Sequence, residues 1–184
     1  MPLCRAIGIS AFIALALARP ALGQKSYALG IGGGAVIPVG RLSDIQDTGY
    51  NAVLGLAIGV AELPIGLRFD ATYNNLSHKK ALPAGSGPNS YDLRVMGLLG
   101  NLIFAFPGTS AKPYIILGGG YYNTKSSLPG AKSENKFGFN GGVGATFGIG
   151  PFATFLESRY HSVSRTAANG GVMQFVPITV GLMF

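Results

Sequence analysis

From Lys25 to the last residue, apolar positions alternate with small or polar ones, and the alternation breaks at regular intervals. Successive side chains of an extended strand point to opposite faces, so a period of two sorts each run into two faces. Leu29, Ile31, Gly33, Ala35 and Ile37 share one face of the first run. Ala52, Leu54, Leu56, Ile58 and Val60 share one face of the second, opposite Asn51, Gly55, Ala57 and Gly59. The third run is the clearest. Ile65, Leu67, Phe69, Ala71 and Tyr73 oppose Gly66, Arg68, Asp70, Thr72 and Asn74. In the last, Val176, Ile178, Val180, Leu182 and Phe184 oppose Pro177, Thr179, Gly181 and Met183.

Alternation suits a soluble sandwich with the apolar set in its core, and equally a membrane barrel with that set in lipid. The breaks separate the two. Residues 38–49, 78–89, 123–135 and 162–173 are long and polar, whereas 62–64, 107–110 and 150–151 are short. Long and short breaks therefore alternate between eight runs. A soluble up-and-down barrel has no need of that regularity, while outer-membrane barrels combine long extracellular loops with short periplasmic turns. The expected fold is all-β: an eight-stranded antiparallel up-and-down transmembrane barrel. An even strand count puts both ends of the chain in the periplasm.

The N-terminus changes the picture once. Arg5 precedes an apolar stretch, Ala6 to Ala18, followed by Ala21-Leu22-Gly23. A basic start, a short apolar stretch and small residues at −3 and −1 describe a cleavable signal peptide, residues 1–23, ahead of a single barrel domain, residues 24–184. An N-terminal anchor is the alternative, but no apolar run reaches the ~18 residues of a spanning helix. Cleavage removes Cys4, the only cysteine, so a disulfide-stapled scaffold is excluded. It also removes Arg5 and Arg19, taking the formal charge from +7 to +5.

Residues from about Tyr27 to Phe184 resemble the small outer-membrane β-barrel family that includes the OmpA transmembrane domain and OmpX. The resemblance covers the whole mature chain and rests on strand count, loop asymmetry and the C-terminal Phe184. It implies an integral outer-membrane location, a monomer, and Phe184 as part of the signal read by the barrel-assembly machinery. Aromatics fit two interfacial girdles: Tyr50, Tyr73, Tyr91, Tyr121, Phe137 and Tyr160 toward the long loops, and Phe104, Phe106, Tyr114, Phe147, Phe152 and Phe184 toward the short turns.

The strand charges are Arg68, Asp70, Asp92, Arg94, Glu157 and Arg159, three of each sign. Each opposes its strand's main apolar set, so each is expected inside the lumen. Eight strands enclose only enough room for side chains, and buried charge is tolerated when paired. Arg68 and Asp70 are expected to meet Glu157 and Arg159 across the lumen as a structural ion-pair network. Lys79, Lys80, Lys125, Lys132, Lys136 and Arg165 form a basic rim beside the long loops. That rim would face the phosphates of outer-membrane lipopolysaccharide, or else be a merely solvated surface. Nucleic acid is excluded as a partner by the dispersion of these residues and by the compartment.

Two lookalike sites carry little. Gly30-Ile31-Gly32-Gly33-Gly34-Ala35 imitates a dinucleotide fingerprint, but strand residues and Pro38 follow where a helix must start. His161-Ser162-Val163-Ser164 is the one catalytic-looking constellation, and strand parity turns both serines away from His161. No catalytic, metal or cofactor site is expected. The reading is a barrel with a filled lumen and a structural or surface-interaction role through its long loops. A narrow gated channel and a lipid-modifying enzyme are the alternatives.

Overall fold

The computed structural model describes residues 27–59, 64–79, 91–149, 152–165 and 171–184. The expected signal peptide, the turn residues Glu62 and Leu63, and Lys80 lie outside the described residues. The strands are β1 (Tyr27–Val39), β2 (Gln46–Gly59), β3 (Ile65–His78), β4 (Leu93–Ala105), β5 (Ala111–Ser126), β6 (Glu134–Ile149), β7 (Phe152–Ser164) and β8 (Val172–Met183). Each pairs antiparallel with its neighbour in sequence, and β1 pairs with β8 to close the barrel. Closure leaves no unpaired edge, which hydrocarbon would not tolerate.

The outer face follows the alternation. Leu98, Tyr121, Phe139, Leu117 and Ile149 point outward and are between 60% and 71% exposed. In water such a continuous apolar belt would cost about 25 cal/mol per Å²; against acyl chains it is the favourable surface. Aromatic pairs sit near its borders: Tyr50–Tyr73 and Tyr121–Phe137 at the loop end, with centroids 6.2 and 5.6 Å apart, and Phe104–Phe106 at the turn end, 5.1 Å apart. Tyr114 leaves the expected girdle. It occupies an inward position of β5 and is 5% exposed.

The closing seam is tied twice. Phe184 N–H donates to the Leu29 carbonyl at 2.8 Å, and Leu29 N–H donates to the Phe184 carbonyl at 3.0 Å. Farther up, the Asn51 amide of β2 reaches past β1, donating to the carbonyls of Ala35 (2.7 Å) and Ile178 (3.3 Å). Thr179 Oγ1 donates to Asn51 Oδ1 at 2.9 Å. One side chain thus links three strands.

The first break is shorter and more ordered than its polarity suggests. A 3-10 turn spans Gly40–Asp44, and β2 begins at Gln46 with a bulge between Asp47 and Tyr50. Gly40 adopts φ +59°, a left-handed conformation that other residues rarely hold, and a Cβ there would crowd Gln174 Oε1. The turn that follows drives Leu42 into the barrel mouth, where it is 4% exposed.

Candidate functional site

Inward positions are even-numbered on β1, β3, β5 and β6, and odd-numbered along the regular parts of β2, β4, β7 and β8. They fill the interior in two layers. In the turn-side half, Arg68 and Asp70 are two residues apart on β3, and Glu157 and Arg159 are two apart on β7. The four close a ring. Arg68 Nη2 donates to Glu157 Oε1 at 2.8 Å, and Arg159 Nη1 donates to Asp70 Oδ2 at 2.8 Å. Within each strand, Arg159 Nε lies 2.7 Å from Glu157 Oε1, and Arg68 Nε lies 3.1 Å from Asp70 Oδ2. Tyr114 Oη donates to Glu157 Oε2 at 2.7 Å, and Asn101 Nδ2 donates to Asp70 Oδ2 at 2.9 Å. All six residues are buried.

Two cations and two carboxylates cancel. The desolvation of each ion, several kcal/mol, is offset only because every charge has an opposite partner and directional hydrogen bonds. A side chain at Gly144 would overlap the Tyr114 ring, so glycine on β6 is what admits the phenol to Glu157. Toward the turns, the space among Val53, Gly55, Phe155 and Met183 beside Arg68 and Asp70 amounts to about 10 Å³, roughly one water.

In the loop-side half the filling is mainly apolar, with the buried side chains of Gln46, Asn74, Asn140 and His161 among it. Val36, Leu76, Val95, Leu99, Tyr122, Val163, Met173 and Phe175 form one cluster, capped by Leu42. His161 lies within it. Its ring stacks on Phe175 with centroids 4.9 Å apart, and its Nδ1 is 2.8 Å from Tyr122 Oη. Alternation alone does not predict this layer, because in a membrane barrel the apolar residues are expected outside and the polar ones inside. The signal was present in the odd positions of β8, where Met173 and Phe175 oppose the outward Val176 and Ile178.

Two of the six expected lumen charges lie elsewhere. Even positions of β4 face outward, so Arg94 stands on the outer wall at the loop end. Asp92 precedes β4 and is bound at Oδ1 by the His78 backbone N–H at 3.0 Å, with His78 Nδ1 also at 3.0 Å. These hydrogen bonds from His78 hold the Asp92 carboxyl below the usual carboxylate range. The reason for the misplacement is physical. β4 is apolar on both faces, Val95 and Leu99 inside and Met96 and Leu98 outside, so its charges do not define its parity.

The basic rim is dispersed. Lys79 Nζ donates to the Ser43 carbonyl at 2.9 Å, tying two connections together. Lys125 and Lys132 are exposed, Lys136 is half-buried at the start of β6, and Arg165 N–H donates to the Gly171 carbonyl at 2.7 Å. His161 faces inward, while Ser162 and Ser164 have outward parity. The geometry therefore does not place a hydroxyl of this segment on the imidazole.

No protein-family model matches the chain, and no curated sequence does. Solved structures do. The chain is similar to the Neisserial surface protein NspA, with 15% identity and a TM-score of 0.64, covering 88% of this chain and 98% of that one. It is also similar to a major outer membrane protein from Thermus thermophilus, with 13% identity and a TM-score of 0.57, covering 87% and 98%. At these identities the likeness speaks for the fold. With a closed barrel and an apolar belt around it, the chain has the fold of the small eight-stranded outer-membrane β-barrels.

Proposed function

We propose that this protein is an integral outer-membrane barrel, closed to ion flow, whose strands are a scaffold and whose loop face meets envelope components or partners outside the cell. The observation that carries the reading is the double filling of the interior: a neutral ion-pair ring on one side and an apolar layer, capped by Leu42, on the other. Charge that is fully paired gives a hydrated ion little to coordinate, and the mainly apolar layer offers few groups to replace its water. On this reading the barrel is a non-enzymatic monomer. The rim lysines face the phosphates of lipopolysaccharide.

Planar-bilayer recording on purified protein tests it. The unmutated barrel is expected to be silent, with leakage in Arg68→Ala or Glu157→Ala, where a buried charge left alone draws in water. Sustained single-channel conductance in the unmutated protein would favour a narrow channel instead. Phe184 is assigned to recognition by the barrel-assembly machinery, beyond its rung with Leu29. Normal outer-membrane levels of a chain lacking Phe184 would refute that assignment.

A further inference from the structure

Arg94 is a cation on the outer wall of a membrane barrel, and its Nε is buried without a hydrogen-bond partner. Its registered neighbours are Asn75 on β3 and Lys125 on β5. All three have outward parity, so they stand in one row across three strands at the loop end. Adjacent strands lie about 4.8 Å apart, which sets two cations side by side with no carboxylate in the row. Asp92, which borders the same recess, is engaged by the backbone and ring of His78. The β5–β6 turn folds back over the row. Ser127 N–H donates to the Asp92 carbonyl at 2.9 Å, and residues Ser126 to Ala131 with Tyr73 wall a recess of about 600 Å³.

Below this recess, toward the middle of the membrane, the same strands are hollowed. The registered pairs Ala71–Leu98 and Phe69–Gly100 follow down the wall. Ala71 and Gly100 floor a groove of about 520 Å³ between Leu54, Leu56, Phe69 and Leu98. A cationic recess at the rim therefore lies over an apolar groove on one wall.

We propose that this wall is a binding site for a phosphate-bearing lipid of the outer leaflet. The phosphate sits between Arg94 and Lys125, and an acyl chain lies over Ala71 and Gly100. The inference rests on the outer-membrane reading above, but it concerns the wall and not the loop tips. An anion between the two cations relieves their mutual repulsion and accepts hydrogen bonds from both. A cation close to the headgroup level favours an anionic lipid over a neutral one. The groove adds apolar contact that free phosphate lacks.

Native mass spectrometry of the folded barrel tests it with three probes: bisphosphorylated lipid A, the same lipid dephosphorylated, and inorganic phosphate. The phosphorylated lipid is expected to be retained, with loss of about tenfold or more on dephosphorylation or in the Arg94→Gln/Lys125→Gln double variant. Lys112→Gln, an exposed lysine at the turn end of β5, is expected to bind normally. Gly100→Leu, which fills the groove, is expected to weaken lipid retention with the rim cations intact. Equal retention by the double variant, an equal loss in Lys112→Gln, or full displacement of lipid by inorganic phosphate would each overturn the site. Should the double variant fail to fold, the dephosphorylated lipid on the unmutated protein decides alone. Cell fractionation reports separately on the outer-membrane reading, so the two failures are distinguishable.

Discussion

The two halves of the barrel interior are filled by opposite means. Toward the turns, Arg68, Asp70, Glu157 and Arg159 bind one another by charge-assisted hydrogen bonds of 2.7 to 3.1 Å. Toward the loops, Val95, Leu99, Val163, Met173 and Phe175 fill space without direction. The ring joins β3 to β7, strands that share no ladder and whose partners are 89 residues apart in sequence. It specifies which strands stand opposite and at what height. The apolar layer specifies little of this, since dispersion has no preferred angle. On the proposed closed reading it also keeps water from above, which would lower the local dielectric and strengthen the ring beneath. On that reading position comes from one half and the seal from the other.

The comparison breaks most sharply at Glu157. Glu157→Ala leaves two buried guanidiniums facing one carboxylate and is expected to cost about 3–5 kcal/mol. Urea unfolding of vesicle-inserted protein, followed by far-UV circular dichroism because the chain has no tryptophan, measures it. Removing a neutral pair, Arg68→Met with Glu157→Leu, is expected to cost less than either single change. If the double variant were the weaker, the pairing account would fail. Phe175→Ala comes next, at about 3 kcal/mol from lost transfer energy and a cavity. It removes no charge, so stability should fall while bilayer recordings stay silent; current in this variant would show that the apolar half carries the seal as well.

The smallest effect lies outside both layers. The hydrogen bonds to Asp92 favour its ionised form, so the His78–Asp92 tether is present at neutral pH. It is lost as pH falls through the lowered pKa of Asp92. The carboxylate is 44% exposed on its side chain, so the effect is local. Amide protection near His78, taken relative to the intrinsic exchange rate at each pH, should fall in acid, and Asp92→Asn should lower it at neutral pH. Protection that is indifferent to both would remove the tether.

What the chain determined by itself is its wall. A period of two is a property of the extended backbone, so Leu67, Phe69 and Ala71 had to face away from Arg68 and Asp70 wherever the strand lay. The long and short breaks then ordered eight strands up and down, and the burial of lone charge sent Arg68, Asp70, Glu157 and Arg159 toward one another. Parity runs out where both faces are apolar. On β4 nothing in the residues told Val95 and Leu99 from Met96 and Leu98, and the tertiary structure alone turned Arg94 to the outer wall. The apolar layer was hidden for the same reason: Phe175 and Met173 resemble lipid-facing residues until the far side of the barrel meets them. Leu42 lies in a break that reads as polar, and only the glycine turn at Gly40 and the open mouth below it draw that side chain inside. Local alternation reports which residues share a face. Which face looks inward, and what closes over it, depends on contacts made across the barrel.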